Sequence, residues 1–208
     1  MTRQAEDRKL PVLGLIASTI LVLVGCSADV SHDPGLIAVP GFSGDDGRLQ
    51  RPWSFVHHAT LGSYDLRIDG DVLSIERTGP EPSSTLAQSL PREVLDKAAG
   101  RTLIFAADLK ARLEEDTWGP PLSPTGMVVR IQSPPAGGSS HMDARLGGMG
   151  RQQTERLDLS SSIQMEEWQR YELEFDVPED VEQLTVSFAM TAGGTLEIRN
   201  PSLTVVDR

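Results

Sequence analysis

From Arg51 onward, the apolar positions of the chain recur at every second residue. That is the period of a strand with one buried face. In TLIFAADLKAR, residues Leu103, Phe105, Ala107, Leu109 and Ala111 share one face, and Thr102, Asp108, Lys110 and Arg112 take the other. GMVVRIQS sets Met127, Val129 and Ile131 against Arg130 and Gln132. WQRYELEFDVP sets Tyr171, Leu173, Phe175 and Val177 against Arg170, Glu172, Glu174 and Asp176. EQLTVSFAM and TLEIRNPSLTVV continue the pattern to the C-terminal end, and SYDLRI and DVLSIER flank Asp69-Gly70, a strong hairpin signal. Seven or eight such strands are predicted from the sequence. Their apolar faces must be buried against one another, and two antiparallel sheets packed face to face achieve this most simply.

Only PREVLDKAAG, residues 91–100, reads as a helix, with Pro91 near its start and Gly100 past its end. An alternating αβ fold needs several longer helices, so the pattern predicts an all-β sandwich. Two polar stretches, 113–126 and 133–155, are rich in Gly, Pro and Ser and read as loops at the sandwich ends or edge.

The first 25 residues follow another rule. Arg3, Arg8 and Lys9 precede an uncharged apolar run from Pro11 to Val24, the layout of an export signal. The run is short for a membrane-spanning helix. It ends in Leu23-Val24-Gly25-Cys26, which resembles the lipobox of bacterial lipoproteins, where the cysteine becomes the first mature residue and carries lipid. Two or more acyl chains anchor a protein stably where one does not. Ser27 after the cysteine implies, by the same resemblance, sorting to the outer membrane in an organism with two membranes. The expected organisation is a signal peptide over 1–25, a lipidated Cys26 with a flexible tether over 26–49, and one β-sandwich over 50–208. The short apolar LIAV at 36–39 leaves an edge strand open as an alternative within the tether.

Composition narrows the partners. The chain carries 19 basic and 30 acidic residues, a net charge of -11, and removing 1–25 leaves 16 against 28. That balance argues against nucleic acid and against charge-driven binding to anionic lipid. A single cysteine closes no intramolecular disulfide, so an exported domain must be stable by packing alone. No HExxH, clustered His/Cys set or GxSxG elbow is present, and LGGMG at 146–150 lacks the strand and helix that a phosphate loop needs. With so many carboxylates, a pair at glycosidase spacing is easily assembled from Glu114, Glu115, Glu172 or Glu174 and decides nothing. The expectation is a noncatalytic protein.

The order of the segments carries a second resemblance. RPWSF, a strand pair, SSTLAQSLP, AGRTLIFAADLKAR and the closing block from EEWQRYELEF to NPSLTVV together resemble the galactose-binding-like jelly roll of the carbohydrate-binding module 4/9 type, over about 51–206. The resemblance implies a jelly-roll sandwich with a ligand site on an exposed sheet face or at its rim. Carried onto this sequence, the face candidates are Arg130, Gln132 and Glu172, with Asp108 a weaker one, and Trp118 in its Pro/Gly-rich loop is either a stacking platform or a simple loop anchor. Aromatics are only 5% of the chain, so binding would rest mainly on hydrogen bonds to a neutral glycan. No cofactor is expected. Structural calcium is the alternative that related domains suggest, but Arg199 is a poor neighbour for a cation and Asp45, Asp46, Asp69 and Asp71 lack the spacing of a calcium loop. The implied setting is the bacterial cell envelope, facing the periplasm or the cell surface. The competing readings are a structural or partner-binding lipoprotein that contacts an envelope protein and, less favoured, a carbohydrate-active hydrolase.

Overall fold

A computed structural model of the protein describes residues 35–37, 40–44, 47–57, 62–115, 124–135, 150–160 and 162–206. The signal peptide, Cys26, His58, Trp118 and His141 lie outside the described residues.

Among the described residues ten strands and one short helix follow in chain order: β1 (Ser54–His57), β2 (Tyr64–Asp69), β3 (Val72–Arg77), β4 (Ser84–Ser89), α1 (Arg92–Ala98), β5 (Thr102–Glu114), β6 (Gly126–Ser133), β7 (Arg151–Asp158), β8 (Gln169–Asp176), β9 (Gln183–Met190) and β10 (Gly193–Val205). They form two five-stranded antiparallel sheets, ordered β1-β4-β9-β6-β7 and β2-β3-β10-β5-β8. The chain is an all-β jelly-roll sandwich. The predicted hairpin closes on the pair Asp69↔Val72, with Gly70 at φ 60° supplying the turn conformation that an L side chain resists.

The alternation of the sequence is the alternation of burial. Phe105, Leu109 and Leu113 of β5, Met127, Val129 and Ile131 of β6, Leu184, Val186 and Phe188 of β9, and Leu196 and Ile198 of β10 are fully or almost fully buried between the sheets. Each such side chain contributes about 1.5–3 kcal/mol by leaving water. At one end the core is sealed by polar groups that satisfy one another. Thr125 Oγ1 accepts hydrogen bonds from the backbone N–H of Thr191 and Ala192 at 3.0 and 2.9 Å. The buried Arg77 donates to the carbonyls of Gly79 and Thr191.

Two sequence expectations change here. The stretch read as a tether is partly folded onto the domain. Gly35 bridges Leu203 of β10 in parallel, Leu36 N–H donates to the Leu203 carbonyl at 2.6 Å, and Ile37 and Phe42 are buried in the core. The sandwich therefore includes residues from about 35, not 50. The second change is β7, which occupies part of the stretch read as a loop. Its buried-facing positions are Gln153, Glu155 and Leu157, so only one of three is apolar and no hydrophobic period marks it. Pairing with β6 along eight residues holds it, and Arg151 at its start donates to the Pro134 carbonyl and ion-pairs with Asp180. The other predicted loop is also shorter, since Leu113 and Glu114 complete β5 and Gly126 opens β6.

Candidate functional site

The outward residues of the β1-β4-β9-β6-β7 sheet fall into rows fixed by strand register. Ser89, Thr185, Arg130 and Thr154 lie side by side across β4, β9, β6 and β7. The neighbouring row is Gln183, Gln132 and Gln152. On the other side follow Ser54, Ala87, Ser187, Val128 and Arg156, then Val56, Thr85, Ala189, Gly126 and Asp158.

The side-chain sizes step across this face and leave a small-residue strip, the trough, beside a taller one. Its middle strands β4 and β9 present Thr85, Ala87, Ser89, Thr185, Ser187 and Ala189, whereas the β6 and β7 side rises in Arg130, Gln132, Gln152 and Arg156. Toward the Gly126 end, Val128, Ser187 and Ala189 are buried; toward the other end, Ser89, Arg130, Gln132, Gln152, Thr154 and Gln183 are exposed. The open end is rich in hydrogen-bonding groups of both kinds. Ser89 Oγ and Thr185 Oγ1 lie 3.0 Å apart and share one hydrogen bond, leaving hydroxyl capacity for a ligand. Arg156 is held by Asp158 at 3.5 Å, but Arg130 ion-pairs with no carboxylate among the described residues. Among those residues no aromatic ring lies on this face, because Phe55 of β1 points inward beside Leu86.

The predicted site residues do not form one cluster. Arg130 and Gln132 stand together on β6 in the open trough. Glu172 and Asp108 belong to the outer face of the other sheet, where Glu172 is exposed opposite Ala106. Asp108 is no free ligand group. It is 7% exposed, accepts hydrogen bonds from Arg170 Nη1 at 3.3 Å and Asn200 Nδ2 at 2.9 Å, and ion-pairs with Arg199, whose Nε lies 3.4 Å away. Those partners converge because β10 bulges between Arg199 and Ser202, with Asn200 at φ 50°. Arg170 also donates to Ser202 Oγ at 2.6 Å and to the Asn200 carbonyl at 2.9 Å. Trp168 joins the same assembly, with the Arg199 guanidinium 4.3 Å above its ring. Asp108 fastens the bulge to β5 and β8, a structural duty in place of the ligand role that its outward position suggested.

Thr154, Gln152 and Arg156 were hidden from sequence reasoning with the rest of β7. Thr185 and Gln183 carried a signal, since they occupy the polar positions of a strand whose alternate residues are apolar, whereas β4, which holds Ser89, buries Ser84 and Gln88 on either side of Leu86 and shows no such period. Among the described residues no three His, Cys, Asp or Glu side chains are grouped to hold a metal ion.

No protein-family model matches the chain, and no curated protein matches it. Solved structures do resemble it. One is a CBM4 module, 13% identical, with a TM-score of 0.44 over 85% of this chain and 100% of that one. A second is the C-terminal family 22 carbohydrate binding module of Clostridium thermocellum Xyn10B, 16% identical, with a TM-score of 0.47 over 84% and 98% of the two chains. A third is the enzymatically active domain of bacteriophage CBA120 tailspike protein 4, 11% identical, with a TM-score of 0.48 over 83% of this chain but only 22% of that one. The structures similar to this jelly-roll sandwich thus include carbohydrate-binding modules.

Proposed function

We propose that this chain is a noncatalytic lipoprotein of the bacterial cell envelope, anchored through lipid on Cys26, whose sandwich binds a neutral carbohydrate in the trough of the β1-β4-β9-β6-β7 sheet. The observation that carries the reading is the row Ser89, Thr185, Arg130 and Thr154 with Gln132 beside it. These side chains are outward and polar, and they supply hydroxyl, amide and guanidinium groups over a small-residue floor. Such a surface meets the alternating donors and acceptors of sugar hydroxyls without a stacked ring. Trp118 remains the proposed stacking group from outside the described residues. The whole-chain charge of -11 favours a neutral glycan over an acidic polysaccharide. The basic start, apolar run and Leu-Val-Gly-Cys sequence support the anchor.

The test is a neutral-glycan array followed by calorimetry on the full chain in detergent. A saturable ligand without turnover supports the reading, and its loss in Arg130→Ala places it in the trough. Product release would revive a hydrolase. A clean negative, with an envelope protein recovered by crosslinking through the same face, would favour the partner-binding alternative.

A further inference from the structure

The outer face of the β2-β3-β10-β5-β8 sheet holds a depression of about 230 Å³ lined by Lys110, Ala111, Arg112, Thr195 and Glu197. It exists because β8 stops early. The last β8 residue along this edge, Gln169, pairs with Leu109, and beyond it β5 and β10 run on with Lys110 opposite Glu197 and Arg112 opposite Thr195. There the segment before β8 meets β5 through a single bridge, Arg112 to Gln164, with Leu113 N–H donating to the Ile163 carbonyl and Met165 N–H to the Ala111 carbonyl.

The charges in the depression are not equally committed. Lys110 Nζ lies 3.4 Å from Glu197 Oε2, and the two side chains are 25% and 31% exposed, so each largely answers the other. The Arg112 side chain is 62% exposed, and its ion-pair partner among the described residues is Glu166, at 3.9 Å and 82% exposed. An exposed pair of that length is worth little, which leaves the guanidinium edge open to a better partner. A guanidinium fork takes a carboxylate through two parallel N–H···O bonds. Beside it stand the Thr195 hydroxyl and the Lys110–Glu197 pair, a donor and an acceptor suited to hydroxyl groups.

We propose that this depression binds a single carboxylate-bearing sugar of hexuronate size, with Arg112 on the carboxylate and Thr195, Lys110 and Glu197 on ring hydroxyls. The size of the depression sets the ligand. It is smaller than the roughly 300–1,000 Å³ of most small-molecule sites, so it admits one ring or a chain end. The acidity of the whole chain does not forbid a single carboxylate here. Exposed charges farther than about 8 Å are largely screened at physiological salt, and within the depression Glu197 is answered by Lys110, so that among the described residues the incoming carboxylate competes only with the exposed Glu166 for Arg112. This site lies on the opposite sheet from the trough and stands or falls separately from it.

The experiment is amide-resolved NMR and calorimetry on the full chain in detergent micelles. The ligands are D-glucuronate and D-galacturonate, each beside its neutral parent sugar, with acetate as the carboxylate alone. The expected result is a saturable perturbation confined to 110–112 and 195–197 by at least one uronate, with parent sugar and acetate weaker by about tenfold or more. Arg112→Ala should abolish the response. Arg112→Lys should weaken it, because an ammonium lacks the fork, and Thr195→Val should weaken it several-fold. Arg130→Ala on the other sheet should leave it unchanged. Circular dichroism should be unaltered throughout, since these side chains point away from the core. The proposal is overturned if neither uronate saturates, if acetate or the neutral parent binds equally well, or if the response survives Arg112→Ala.

Discussion

The ring of Phe42 lies 5.3 Å from that of Trp53, and Trp53 lies 6.2 Å from Phe188 of β9. Phe188 in turn meets Phe105 of β5 at 5.3 Å. A residue from the segment before the first strand is thereby the outermost member of an aromatic chain that links both sheets.

Phe42→Ala should accordingly destabilise the fold by about 3–5 kcal/mol, the usual cost of a buried phenylalanine. A chain beginning at Arg48 loses Ile37 as well and should unfold at a distinctly lower temperature than one beginning at Ser27. Equal midpoints for the two chains in thermal melts would show that the segment adds nothing.

Legibility followed packing. The face of Arg130 and Gln132 was readable because every second residue of β6 is apolar, and a strand half-buried on one side writes that period into its sequence. β7 was not readable, because an edge strand whose inward positions include Gln153 and Glu155 owes its place to ladder hydrogen bonds. Alternation also tells which residues point outward without telling which sheet they belong to. Glu172 and Arg130 looked equivalent in sequence and stand on opposite faces of the molecule. The role of Asp108 depends on a bulge 92 residues away at Asn200, a pairing that no local pattern announces.

Asp108→Asn should destabilise the protein by about 2–3 kcal/mol. This is below the ~3–5 kcal/mol of a fully buried pair, since Arg170 and Arg199 retain contact with water. Glycan affinity should be unchanged. Denaturant melts report the first effect and calorimetry the second; intact stability with lost binding would return Asp108 to the ligand site.

In the trough, Arg130→Ala should weaken a bound neutral glycan by about 1.5–3 kcal/mol, the range for hydrogen bonds made by a charged donor. Thr185→Phe should block it by filling the floor. Neither position contributes to the core, so thermal midpoints should stay close to that of the wild type. Wild-type affinity in both variants would move the ligand elsewhere.

Cys26→Ala should abolish incorporation of a palmitate analogue in cells and release the protein from membranes. Gel fluorescence after labelling reads this directly, and persistent signal in the variant would remove the anchor.

The docking of Gly35 on Leu203 also limits reach. A Cβ at position 35 would collide with the Leu203 carbonyl, so this close seat suits glycine, whose φ there is 62°. With the chain fastened at 35, only the residues from Ser27 to Pro34 would separate the proposed anchor at Cys26 from the folded body. Fully extended, that leash spans about 30 Å, roughly the width of one small domain. If the proposed anchor holds, so short a connection would keep the sandwich beside its bilayer, and a ligand would have to come to the membrane surface to meet it.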